Sequence, residues 1–167
     1  MEQPNEEETT INEIAEKMEK AEKIRPEDIS IGDWVQARIA KWDYDDLDIT
    51  PPMQVVEIKG DGVVLGLGST YHPTFVEDLA PIPITREILV KNGWRPPREG
   101  VAFDTYFWTN RKDRAIEISE SDGKFYMSVI EQIDGWQHNY QVGCGLQFVH
   151  ELQRTINLVK IEKEITL

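Results

Sequence analysis

The chain has 167 residues and a mass of 19.3 kDa, enough for one domain with a proper core or two small ones sharing an interface, which excludes a large multidomain machine. Hydrophobic residues make up 40% and charged residues 29%, so most of the chain is expected to fold. Eighteen Lys and Arg against 31 Asp and Glu leave a net charge of −13 and a pI near 4.6; phosphate backbones are repelled, and direct nucleic-acid binding is not expected.

The first 27 residues form an acidic arm. Residues 1 to 28 hold ten acids and four bases, close to half of the net charge. Thr10 and Glu13 are spaced as a capping box. Ile11, Ile14, Met18 and Ala21 then fall on one stripe, and Glu13/Lys17, Glu16/Lys20 and Glu19/Lys23 are favourable i,i+4 pairs. The pattern predicts a helix over 11–24, stopped by Pro26. At under two heptads it is too short for a self-sufficient zipper, so the stripe is expected to dock on the rest of the chain or on a partner.

From Asp28 the pattern turns to strands: ISIGDWVQARIAKW, MQVVEI, the turn KGDG, and VVLGLG. Alternation about Asp61-Gly62 predicts a hairpin, and the short strands over 28–80 suggest a small SH3-like or otherwise partly open β-barrel. WDYDDLDITPP would be its longest loop. Residues 81–167 begin with a short helix, TREILVKN, with Ile84 and Leu89 as a hydrophobic staple and Gly93 at the left-handed C-terminal position. After RPPREG, the strands VAFDTYFWT, RAIEIS, FYMSVI and WQHNYQV predict an antiparallel meander with SDGK as one turn. Val149, Leu152, Ile156 and Val159 mark a final helix covering that sheet, while VKIEKEITL reads equally as helix or strand. The expected class is α+β: an N-terminal helix, a small SH3-like barrel, a connecting helix, and a meander with a C-terminal helix.

The succession IGDWV, a strand hairpin, LAPIPITREILVKNGW, an aromatic-rich meander and LQFVHELQRTINL resembles a family of small proteins encoded by phages and integrated elements of gut Bacteroidales. The resemblance covers about residues 28 to 158 and leaves out the acidic arm. It implies a mobile-element accessory protein and carries over no catalytic residue.

Four carboxylates stand within six residues in Trp42-Asp43-Tyr44-Asp45-Asp46-Leu47-Asp48. As a calcium loop the segment fails: Leu47 replaces a ligand, Asp48 replaces the turn glycine and Gln54 stands at position 12. It reads either as a solvated loop or as an acidic, aromatic-bearing surface that imitates nucleic acid.

Cys144, in GCG, is the only cysteine, which excludes an internal disulfide and a Cys-rich zinc site. It is expected to be a packed thiol; a Cys–His nucleophile with His72, His138 or His150 is the competing reading. HELQ lacks the second histidine of a zinc-protease helix, so no metal or cofactor is expected. GLGST lacks the lysine of a phosphate loop, and Arg111, Lys112 and Arg114 read as an ordinary hairpin loop. Trp34 and Trp108 are expected in the core, Trp42 and Trp136 as interface anchors.

No basic-then-apolar leader opens the chain and its apolar runs fall far short of the roughly 18 to 20 residues that span a bilayer, so a cytoplasmic protein without a membrane partner is expected, or a virion component. The leading functional expectation is non-enzymatic binding of a protein partner through Trp42, Asp43, Tyr44, Asp45, Asp46, Asp48, Ile14, Met18 and Trp136, occluding a basic surface such as that of a nucleic-acid-binding or defence protein. The alternatives are an assembly component whose N-terminal helix docks on a neighbouring subunit, a homo-oligomer among them, and a small-ligand binder or Cys-dependent enzyme.

Overall fold

The computed structural model describes residues 24–40, 47–97, 105–109 and 114–167, in two compact units, Met1–Pro81 and Ile82–Leu167. The expected α+β class is corrected: among the described residues the fold is mostly β, 53% strand and 18% helix, in two sheets, with a curled half-barrel where a small SH3-like or partly open barrel is expected. The correction comes from strands that are longer and more numerous than the turn signals suggest. The helix expected over 11–24 lies outside the described residues apart from Ile24, which is buried.

In the first unit the strands are β1 (Trp34–Ala40), β2 (Leu47–Ile49), β3 (Met53–Lys59), β4 (Gly62–Leu67), β5 (Thr70–Phe75) and β6 (Leu79–Ala80). β1 is the hub. Its ends pair with β3 and β2, and its middle residues Gln36 and Ala37 pair with β6, reached through a short 3-10 turn at Val76–Asp78. β3, β4 and β5 follow as successive hairpins, the first turning between Lys59 and Gly62. Period-two alternation puts Val35, Ala37, Met53, Val55, Val63 and Leu65 into one cluster with Ile24, Ile29, Val76 and Leu79. Each fully buried aliphatic side chain there contributes about 1.5–3 kcal/mol.

Thr50 closes the gap between β2 and β3. Its hydroxyl accepts the Ala37 N–H at 2.9 Å, and its own N–H donates to the Ala37 carbonyl at 2.9 Å. The buried side chain thus supplies a ladder acceptor where Pro51 and Pro52 cannot continue a regular strand.

The second unit opens with α1 (Arg86–Lys91), capped by Thr85, whose hydroxyl accepts from the Ile88 N–H. Trp94 N–H reaches the Leu89 carbonyl and Gly93 N–H the Val90 carbonyl, with Gly93 at φ +82°, a Schellman ending. A four-stranded antiparallel sheet follows, β7 (Thr105–Thr109), β8 (Arg114–Ser121), β9 (Lys124–Ile133) and β10 (Trp136–Leu146), in the order β10-β9-β8-β7. Its two tight turns, Asp122-Gly123 and Asp134-Gly135, have positive φ throughout, the requirement that makes Asp-Gly the preferred pair.

One face of this sheet carries Ile116, Ile118, Phe125, Met127 and Val129, buried with Val149, Leu152 and Ile156 of α2 (Val149–Leu158). Gly143 lets the helix come close: a Cβ there would stand 2.9 Å from Leu146 Cδ1 and 3.2 Å from both Met127 Cβ and Thr155 Cγ2. Past Leu158 the chain is neither helix nor strand, yet Ile161 and Ile165 are buried. The expected core tryptophans are also corrected. Trp34 and Trp108 are only half-buried, and among the described tryptophans it is Trp94, held by the end of α1, that is fully buried.

Candidate functional site

In an ordinary half-buried strand the apolar residues face the core. β5 reverses this. Its sequence TYHPTF turns His72 and Thr74 toward the side of Leu65 and Val63, their register partners, and turns Tyr71, Pro73 and Phe75 away. Tyr71 is 66% and Phe75 59% exposed. A register shift between Val55 and Glu57 of β3 puts Val56 on the same outer side, 40% exposed.

Gly66 sits between them. A Cβ at Gly66 would lie 2.9 Å from Val56 Cγ1 and 3.6 Å from Tyr71 Cε1, so its missing side chain lets both close over the backbone. Phe75 and Pro73 continue this apolar face into an open depression of about 520 Å³, lined also by Glu57, Lys59, Gly62 and Val64. Glu57 and Lys59 are ion-paired at its rim. Among the described residues Pro73 lies on the outermost strand of this sheet, where it blunts backbone pairing while leaving the apolar side face open. The arrangement has the anatomy of a protein-contact patch: aromatic and aliphatic anchors with a charged rim.

The expected site residues are distributed differently. Trp42, Asp43, Tyr44, Asp45 and Asp46 of the acidic loop, and Ile14 and Met18 of the arm, lie outside the described residues. Asp48 is exposed on β2, in register with Ile39. Trp136, 75% exposed, opens β10 in the second unit. Asp48 and Trp136 thus belong to separate units. Val56, Tyr71, Pro73 and Phe75 were not among the expected residues; their signal was the TYHPTF alternation itself.

Trp136 does have neighbours of its own kind. Register pairs Trp136 with Ile133, His138 with Glu131 and Tyr140 with Val129, so Trp136, His138 and Tyr140 share the face that is buried further along at Val129 and Met127. Arg114, in register with Glu131, is ion-paired to it and donates to the Val159 carbonyl at 3.2 Å. Burial pushes the Tyr140 hydroxyl above its ordinary range, and its hydrogen bond to the Glu131 carboxylate adds to this. Arg114 therefore serves an ion pair at a strand start, which corrects its placement in a basic hairpin loop; Arg111 and Lys112 lie outside the described residues.

Cys144 is exposed on β10, not packed. His150 is buried in the first turn of α2, its ring stacked on Phe148 with centroids 5.9 Å apart, and Glu151 accepts the Phe148 N–H at 3.0 Å. Among the described residues no group of three or more His, Cys, Asp or Glu is placed to hold a metal ion, and no helix is long and apolar enough to cross a membrane. No family model, no curated protein and no solved structure matches the chain.

Proposed function

We propose that the protein is a non-enzymatic binding module whose partner is a protein segment with an apolar centre flanked by basic residues, docked on the outer face formed by Val56, Tyr71, Pro73 and Phe75. The carrying observation is the reversed alternation of β5, which spends two aromatic side chains on solvent and turns His72 and Thr74 toward the core. Exposed aromatics on one face cost solubility unless something covers them. The net charge of −13 supplies the second half of the reading, since it attracts a basic partner and speeds encounter while the apolar face provides retention. The acidic arm and the carboxylates at 43 to 48 act in this scheme as long-range attractors.

A selection from a displayed random-peptide library against the full chain tests the proposal. Enriched sequences should combine a large apolar residue with Lys or Arg, bind less at high salt, and fail on the Tyr71→Ser/Phe75→Ser double variant. Both side chains are exposed, so the variant should keep its fold, which circular dichroism verifies. Enrichment that is unchanged on the double variant would remove this face from the function.

A further inference from the structure

β10 forms one edge of the four-stranded sheet among the described residues, and it is a long one, eleven residues from Trp136 to Leu146. Long edges are normally protected by lysine, proline or a covering element. β10 has neither lysine nor proline; its sequence WQHNYQVGCGL contains no Asp, Glu, Lys or Arg in a chain that is 29% charged. Residues 136 to 141 are all exposed. Alternate residues of such a strand turn their N–H and C=O groups outward, ready to pair with another strand.

The charge distribution selects the occupant. A basic partner would find no carboxylate on this strand to attract it, whereas a second copy of this chain would meet no like charge there. The nearest carboxylate in register, Glu131, is neutralised by Arg114. We propose that two copies of the chain pair their β10 strands antiparallel about a two-fold axis at His138, making one eight-stranded sheet. In that register Trp136 of each copy stands across from Tyr140 of the other, an aromatic cross-strand pair. Trp136 is 75%, Ile133 48% and Tyr140 40% exposed on the shared face. Specific interfaces start at about 1,000 Å² of buried surface, and one strand edge with these side chains is a small contact, so the dimer is a weak one.

The proposed contact uses residues other than those of β5, so a strictly monomeric chain would leave the peptide-binding proposal standing, and failure of peptide binding would leave this one standing. Sedimentation equilibrium of the full chain should show a reversible monomer–dimer equilibrium in the micromolar to submillimolar range. Trp136→Ser should weaken it about tenfold. Asn139→Lys discriminates further: it lowers the magnitude of the net charge, so association governed by overall repulsion would strengthen, whereas edge pairing sets two lysines close together and must weaken. In a Cys144→Ser background, His138→Cys should cross-link through a disulfide much faster than Ile31→Cys, an exposed control in the first unit. A monomer at every concentration, a dimer indifferent to Trp136→Ser and Asn139→Lys, or cross-linking no faster than the control would overturn the proposal.

Discussion

Asn92 holds the backbone of Thr166 on both sides: its Nδ2 donates to the Thr166 carbonyl at 2.9 Å and its Oδ1 accepts the Thr166 N–H at 2.8 Å. The same Nδ2 donates to the Ile88 carbonyl at 2.9 Å, so one buried amide ties the end of α1 to the chain's last residues. It takes the place that a strand partner would fill. Lys163 adds a second tie, donating to the Asn92 carbonyl with its Nζ 4.8 Å from the Trp94 ring centroid. Asn92→Ala should therefore destabilise the second unit by about 1–3 kcal/mol, since the hydrogen bonds of a buried amide to Ile88 and Thr166 are lost. Chemical denaturation measures the loss, and carboxypeptidase should trim the variant faster than the wild type.

Thr50→Val tests the seam of the first unit. The substitution keeps the shape of the side chain and removes the hydroxyl that accepts the Ala37 N–H. A buried N–H without an acceptor costs about 1–3 kcal/mol. Hydrogen exchange at the Ala37 amide should accelerate, while exchange in the second unit stays as it was.

Gly143→Ala tests the approach of α2 to β10. The added methyl meets Leu146, Met127 and Thr155 within 3.2 Å, in a place where sheet and helix are both fixed. Overpacking of this kind costs about 1–3 kcal/mol. A thermal melt should show a lowered midpoint; a neutral or stabilising outcome would mean that the helix is free to shift.

Lys163 gives the pH dependence. Burial pushes its ammonium below the ordinary lysine range. The unfolded chain then holds this proton more tightly than the folded one, so below the folded pKa the charged lysine opposes folding. As pH rises through the window between the folded pKa and the ordinary value of 10.5, that penalty is relieved and the stability contribution of this group rises. Lys163→Met should lack this component, which subtracting the two pH–stability curves isolates.

Much of this fold was legible in the residues, for reasons that differ along the chain. The start of the helix at Thr85 and the left-handed Gly93 are local devices that depend only on neighbours in sequence, and both stand in the structure, with Ile84 and Leu89 buried. The Asp122-Gly123 turn is of the same kind. The mostly-β class and the extent of the curled sheet were not legible, because curl and strand length depend on long-range pairing. β10 runs on through Gly143, Cys144 and Gly145 by means of register shifts that no local signal marks. The final nine residues alternate as a strand would, yet they follow Asn92, Trp94 and the core, and adopt no regular structure.

The candidate site was hidden by a sound rule applied in the usual direction. Alternation ordinarily places apolar residues inward, and the strands expected in this stretch end at VVLGLG. TYHPTF alternates as well, but with its apolar set outward, and Pro73 disguises it as a turn. The exposure of Trp136 was legible because it stands beside an Asp-Gly turn among polar residues.

The most direct test of the central claim is the affinity of a peptide enriched on the full chain, titrated by calorimetry against the wild type and against Tyr71→Ser/Phe75→Ser. Removing two exposed aromatic anchors from the contact should weaken binding at least about tenfold and leave the thermal midpoint close to that of the wild type. Equal affinity for the two proteins would contradict the assignment of the β5 face as the docking surface.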